Sequence, residues 1–392
     1  MSEHYCGYAH SVHTEKWDVS SRTQVIAGRG SVARLGRLLH ERDARRVLIV
    51  TDPGLRKTGM VDDIAAAIGA AGPAVTVHSE IPPNPSTAAL DVATAVARDA
   101  RTDFIVAIGG GSALDAAKAV ALLTHTSMSA ESLDGSEEFG APTVPLAAIP
   151  TTAGTGAETN GFGVMESADH RKVYIGTAAT TPELVILDAE LTVGLPAPVT
   201  AAAGFDAITH GAESLLSQGA TSLSRAYATE SLRLTTAALA DAVADGGDIE
   251  ARSRMLIGSH LAGRALSLSG LGLLHGIAHS ITATTGTPHG VALASIAGPA
   301  LLFGIDAAPA RYADLVRALD LDGGGDRAAR RIEEIAATVG LPTNLGAIGV
   351  TADLIDTLVT KTLDDAVTNN TPRRPSPEQL TDLLRASMQE SR

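Results

Sequence analysis

Residues 103–123, "DFIVAIGGGSALDAAKAVALL", decide what kind of fold this chain adopts. The apolar run at 104–108 is short, uninterrupted and without polar alternation, so it reads as a buried strand. Gly109, Gly110 and Gly111 follow, then an alanine- and leucine-rich segment of helical type. Strand, glycine turn and helix is the unit from which parallel sheets are built.

The same alternation extends in both directions. Upstream, "QVIAGRGS" (24–31) is a short strand and turn, "VARLGRLLHERD" (32–43) is helical, and "RRVLIVTDPGL" (45–55) is a strand closing at Asp52. "VDDIAAAIGAA" (61–71) and "STAALDVATAVARDA" (86–100) are helical, with the strand-like "AVTVHSEI" (74–81) between them. Downstream, "VPLAAIPTTAGTGAE" (144–158) is a second buried strand running into a loop of small residues. Past about residue 190 the β signal fades, and long helical patterns take over at 196–216, 222–244 and 249–268. The expected organisation is α/β: an N-terminal domain with a mostly parallel sheet over 1–195, then an all-helical domain over 196–392.

Composition narrows the function classes. The 392 residues exceed what one hydrophobic core usually serves, which is the prior for two domains. Aromatics make up 3% against 45% hydrophobic residues overall, so the cores must be built from Ala, Leu, Val and Ile. A formal charge of −14, from 44 acids and 30 bases, is the opposite of a nucleic-acid footprint. Cys6 is the sole cysteine, which rules out an intrachain disulfide and limits a metal site to nitrogen and oxygen ligands. The opening "MSEHYCGYAHSVHTEKW" (1–17) lacks a basic start followed by an apolar run, and no long uncharged apolar stretch follows it. The expectation is a cytoplasmic protein with neither a membrane span nor a nucleic-acid partner.

Two groups of residues carry chemistry. In the first half, Gly109, Gly110 and Gly111 let the backbone approach a bulky anion, and the first N–H groups of the following helix face it. Ser112 is either an N-cap or a phosphate donor, with Asp115 three residues on, and a plain turn with a capping box is the competing reading. Asp52, at a strand end, suits the ribose 2′-OH of an adenosine and repels a 2′-phosphate, which favours NAD over NADP. An Asx turn before Pro53 and Gly54 explains Asp52 equally cheaply. Thr151, Thr152 and Thr155 in "PTTAGTGAETN" (150–160) form a second loop suited to a phosphate or a nicotinamide edge. In the second half, Asp206 and His210 stand at i and i+4, as do His275 and His279, and His289 follows Pro288. That spacing puts each pair on one helix face, within reach of a single ion, and the donor set suits Fe²⁺ or Zn²⁺. Which four of the five bind is open at this level, and capping or core roles compete. Lys172 is either a contact to a cofactor or substrate oxygen or a solvated surface lysine beside Arg171.

Taken together, "GRGSVARLG" (28–36), "GGGSALDAAK" (109–118), "PTTAGTGAET" (150–159), the Asp206–His210 spacing and "HGIAH" (275–279) with "PHG" (288–290) resemble the iron-containing (group III) alcohol dehydrogenase family over nearly the full length. The resemblance implies a dehydroquinate synthase-like fold: an N-terminal α/β nucleotide-binding domain, an all-helical C-terminal domain, and an active site in the cleft between them. It implies Asp206, His210, His275 and His289 as metal ligands, with His279 a non-ligand near nicotinamide and substrate. Asp52 would then be the ribose acid; Gly109, Gly110, Gly111, Ser112 and Asp115 belong to the pyrophosphate segment, and Thr151, Thr152, Thr155 and Lys172 to the cofactor surroundings. Ala189 replaces a usual proline, Ala157 a frequent serine, and the segment at 268–270 lacks a common asparagine. The implied activity is NAD(H)-linked, iron- or zinc-dependent interconversion of a small alcohol and its aldehyde by a homodimer or larger homo-oligomer. The alternatives are maleylacetate reductase-like reduction of an oxo-acid, or metal-assisted lyase or hydrolase chemistry on a phosphorylated substrate. The family's maleylacetate reductases tend to carry Asn where Asp206 stands, which favours the metal-dependent branch.

Overall fold

Six parallel strands form one sheet in the order β1-β8-β5-β4-β2-β3. They are β1 (Gln24–Ala27), β2 (Arg46–Val50), β3 (Ala74–His78), β4 (Phe104–Gly109), β5 (Leu146–Pro150) and β8 (Leu184–Leu187). A separate antiparallel hairpin joins β6 (Phe162–Glu166) to β7 (Lys172–Gly176). The computed structural model describes Val19, residues 22–133, 142–168 and 172–388, with the backbone alone at 172, 173, 175 and 176.

The central strands are buried from end to end, β4 as FIVAIG, β5 as LAAIP and β8 as LVIL. Successive side chains of a strand point to opposite faces, and the two cores of this unit divide on that basis. Leu48, Val50, Ile105, Ala107, Leu146 and Ala148 pack on one side with α4 (Thr87–Asp99) and α5 (Gly111–Leu123). Val47, Ile49, Val106, Ile108, Ala147 and Ile149 pack on the other with α1 (Leu35–His40) and α3 (Met60–Ala70). Covering both faces explains why the strands read as continuous apolar runs.

After β2 the chain adds β3 on one side, then returns to place β4 on the other side of β2. Such a reversal in strand order marks the point where open α/β sheets bind ligands, outside the carboxyl ends of the strands. Here those ends carry Asp52, after β2, and Gly109 and Gly110, at the end of β4.

By its contacts the chain forms two units: Arg22–Pro196 with Asp245–Gly263, and Ala197–Ala244 with Arg264 onward. Two buried side chains bind the 245–263 segment into the sheet unit. Arg252 donates to Gly246 O and Leu195 O at 3.1 and 3.2 Å, and His260 Nδ1 lies 3.0 Å from Glu158 Oε1. The Arg252–Leu195 and His260–Glu158 interactions join residues far apart in the chain, so helical periodicity gives no signal of them.

The other unit is helical: α6 (Ala197–Leu216), α7 (Ser222–Ala244), the end of α8 (Ile249–Ser269), α9 (Leu273–Thr285), α10 (His289–Phe303) and shorter helices to Ala386. Every α6 residue from 204 to 216 is buried, a helix enclosed on all sides, with α7, α10 and α11 (Pro309–Ala318) packed around it. Glycine allows the tightest of these approaches. A Cβ built on Gly290 would fall 2.1 Å from Ala202 O, so the start of α10 lies against the α6 backbone one turn before Asp206.

Gly290→Ala should therefore destabilise the protein by about 1–3 kcal/mol through overpacking against backbone. Gly69→Ala, on the exposed face of α3 with nothing within 4 Å of its new methyl, should stabilise by about 0.5–1 kcal/mol. Urea-unfolding midpoints check both, and equal midpoints for the two variants would contradict the packing described.

Candidate metal centre and glycine loops

Asp206 and His210 face the same way from α6, and α9 and α10 bring His275 and His289 to them. Asp206 Oδ1 lies 3.3 Å from His210 Nε2, 3.5 Å from His275 Nε2 and 3.7 Å from His289 Nε2. One carboxylate oxygen thus has three imidazole nitrogens around it, contributed by three helices. The His210 and His275 rings stack at a centroid distance of 4.7 Å and an interplanar angle of 12°. Ligand atoms of Asp206, His210 and His275 all lie within 4.8 Å of one another. These three residues are buried, whereas 32% of the His289 side chain remains exposed.

His279, one turn beyond His275, stands apart from this cluster of ring nitrogens. Its ring stacks against His289 at 5.3 Å, and its Nδ1 lies 2.7 Å from Asp365 Oδ2. Asp365 Oδ1 accepts from Val367 N at 3.1 Å, which fixes the carboxylate. A Cβ on Gly276 would fall 2.1 Å from Thr368 Oγ1, so α9 lies close against the turn that presents Asp365.

The electrostatics follow from crowding. Burial by itself raises the Asp206 carboxyl, but His210, His275 and His289 outweigh it and hold the acid well below the ordinary carboxylate range. Burial lowers the His275 imidazole, and the Asp206 and Glu213 carboxylates reverse this and push it up to about 9. Partial burial and then the neighbouring imidazoles push His289 below its usual value, against the pull of Asp206. The site demands positive charge between two buried carboxylates, and a divalent cation meets that demand.

The residues fit such an ion. Asp206 Oδ1 and His275 Nε2 are both buried, and neither makes a hydrogen bond of normal geometry. Buried polar atoms left in that state cost free energy, and both point into the same small space. Three imidazoles and a carboxylate suit Fe²⁺ or Zn²⁺.

Glu213 and Asp365, which the sequence reading passed over, are the immediate supports. Glu213 is buried on α6, and its Oε2 lies 2.5 Å from His275 Nδ1. The available signal was an acid inside a segment otherwise suited to full burial. Asp365 gave less warning, because it sits in a polar loop remote in sequence.

In the sheet unit the two glycine loops and Asp52 come together. A Cβ on Gly109 would lie 3.5 Å from Asp52 Oδ2, one on Gly110 would lie 3.3 Å from Thr152 Cγ2, and one on Gly111 would lie 2.9 Å from Thr155 Cγ2. Gly109 also has φ +152°, a conformation that side chains disfavour. Thr151 N donates to Gly109 O at 2.9 Å. Asp52 does cap the short helix that follows, accepting from Leu55 N through Oδ1 at 2.9 Å, while Oδ2 faces the glycines.

The structure does not support the competing reading of Ser112 and Asp115 as a capping box. Gly110 is the N-cap of α5 and no side chain caps it. The Ser112 hydroxyl instead accepts from Asn84 N at 3.3 Å. Asp115 binds Lys118 Nζ at 3.3 Å through Oδ1 and Val164 N at 3.1 Å through Oδ2. Lys118 is fully buried and also donates to Phe162 O. Asp115 and Lys118 therefore anchor the β6–β7 hairpin, whose short strands the alternation pattern did not reveal. The Lys172 backbone opens β7, and its side chain lies outside the described residues.

The chain matches the family model for iron-containing alcohol dehydrogenase over residues 22–189, and that for the C-terminal part of the Fe-containing alcohol dehydrogenase family over 200–388. It is 32% identical to lactaldehyde reductase of Escherichia coli (strain K12) over 366 residues, covering 91% of this chain and 95% of that protein. It is also 32% identical over 371 residues to NAD-dependent methanol dehydrogenase of Bacillus methanolicus, covering 93% and 97%. Among solved structures, sulfoacetaldehyde reductase from Bifidobacterium kashiwanohense in complex with NAD+ aligns with a TM-score of 0.91 at 26% identity, over 96% of this chain and 100% of that one. With matches that span both its sheet unit and its helical unit, the chain belongs to the iron-containing alcohol dehydrogenase family.

Proposed function

We propose that this chain is a metal-dependent, NAD(H)-linked alcohol dehydrogenase and aldehyde reductase acting on a small alcohol or carbonyl substrate. The observation that carries this reading is the convergence of His210, His275 and His289 nitrogens on Asp206 Oδ1, within 3.7 Å. These four residues are the proposed ligands. When bound, the nicotinamide exchanges a hydride with the substrate carbon, and the divalent cation lowers the cost of negative charge on the substrate oxygen.

The protein's own part is binding, orientation and proton handling. Gly109, Gly110, Gly111 and Ser112, with α5 behind them, receive the pyrophosphate at a helix N-terminus. Thr151, Thr152 and Thr155 supply hydroxyls from the adjoining loop, while Asp115 maintains the local structure, and we assign Lys172 to the cofactor as a cation. Asp52 Oδ2 accepts from the ribose and repels a 2′-phosphate, giving preference for NAD. Asp365 holds Nδ1 of His279, so the proton that leaves the substrate hydroxyl is passed through Nε2 of that ring. No single helix among the described residues is long and apolar enough to cross a membrane, and we place the enzyme in the cytoplasm as a homodimer or larger homo-oligomer.

Anaerobic purification with metal analysis and an alcohol and aldehyde panel test this reading. About one divalent ion per chain is expected, and Asp206→Ala or His275→Ala should remove it and cost more than about a hundredfold in turnover while NAD⁺ binding persists. Full activity in either variant without metal would overturn it. No change at the nicotinamide absorbance band with any substrate would favour lyase or hydrolase chemistry instead. Asp52→Ala should narrow the NAD-over-NADP ratio of kcat/KM by about tenfold or more, roughly the 1–2 kcal/mol of a charge contact. An unchanged ratio would remove Asp52 from the ribose site.

A further inference from the structure

Beside the proposed ligands lies a second buried carboxylate. Glu213 is 5% exposed, on α6, one turn after His210. Its Oε1 accepts from Leu274 N at 2.9 Å, and its Oε2 is 3.3 Å from His275 N and 2.5 Å from His275 Nδ1. Gly272, the N-cap of α9, offers no side-chain cap of its own. A Cβ on Gly272 would fall 2.9 Å from Glu213 Oε1, so that glycine is what admits the carboxylate.

We propose that Glu213 is a positioning residue for the metal centre, fixing the tautomer and ring plane of His275 while it docks the start of α9 onto α6. The proposal rests on the metal-centre reading above. An ionised carboxylate only accepts hydrogen bonds, so the proton of a neutral His275 ring must sit on Nδ1. Nε2 then carries its lone pair toward Asp206 Oδ1, 3.5 Å away, where the ion is to be held. The opposite tautomer would point an N–H into the site and exclude a cation. The same carboxylate satisfies N–H groups at the first turn of α9, which fixes the axis of the helix that bears both His275 and His279. Metal-binding histidines commonly owe ring orientation and basicity to such a partner on the second nitrogen. Glutamine cannot replace the acid fully, because its amide offers one oxygen where His275 Nδ1 and the Leu274 N–H require two.

The test is Zn²⁺ affinity of the metal-free full chain, measured by chelator competition for parent, Glu213→Gln, Glu213→Ala and His275→Ala, together with apo-protein melting. Glu213→Ala should weaken Zn²⁺ binding about 10–100-fold and Glu213→Gln by an intermediate factor, with the visible spectrum of the Co²⁺-substituted protein altered in both. A purely structural cap would lower melting temperature and leave the affinity of the folded protein within about twofold. That result in Glu213→Gln, with binding still abolished by His275→Ala, overturns the positioning role alone. A parent protein that binds no Zn²⁺ overturns the metal reading and this proposal with it. The glutamine variant keeps the side-chain volume, so the question stays answerable if the alanine variant does not fold.

Discussion

One buried oxygen organises the helical unit. Asp206 Oδ1 lies inside a helix enclosed on every side, with imidazole nitrogens on three helices turned toward it and no hydrogen bond to satisfy it. A carboxylate in that position is tolerable only if positive charge is held against it. The neighbouring design follows from this need. Gly290 lets α10 touch the α6 backbone so that His289 arrives, Gly276 lets α9 lie against the turn carrying Asp365, and Gly272 admits Glu213. Each removes a methyl group where one would separate a functional residue from the centre.

The sheet unit solves a different problem with similar means. Its central strands are buried on both faces, so polar work is confined to their carboxyl ends. Asp52, the 109–111 glycines and the Thr151, Thr152 and Thr155 loop all emerge there, on β2, β4 and β5, around the reversal of strand order. The positive-φ Gly109 and the contacts of Gly110 and Gly111 with Thr152 and Thr155 make this surface backbone-rich, as anion binding requires.

Much of this was legible in the sequence, for identifiable reasons. Uninterrupted apolar runs at β4, β5 and β8 announce strands covered on both faces, and α6, α7 and α8 follow their periodicity almost to the residue. Asp206 with His210 and His275 with His279 were readable because the spacing of residues on one helix turn is set by the helix itself. What sequence spacing could not show was convergence between helices, including the approach of His289. Glu213 and Asp365 escaped notice because each acts on a histidine more than 60 residues away. The capping-box alternative at Ser112 and Asp115 fails for a tertiary reason: Asn84, Lys118 and Val164 claim those side chains. The β6–β7 hairpin was missed because Phe162 and Val164 are exposed, which blurs the pattern of a strand facing the core.

The central claim is that one carboxylate and three imidazoles share a single cation. X-ray absorption at the metal edge of the anaerobically isolated protein addresses it most directly. The account predicts a light-atom shell near about 2.0–2.2 Å with outer-shell scattering from several imidazole rings and no sulfur. Scattering without an imidazole contribution, or a spectrum unchanged in the Asp206→Ala protein, would contradict it.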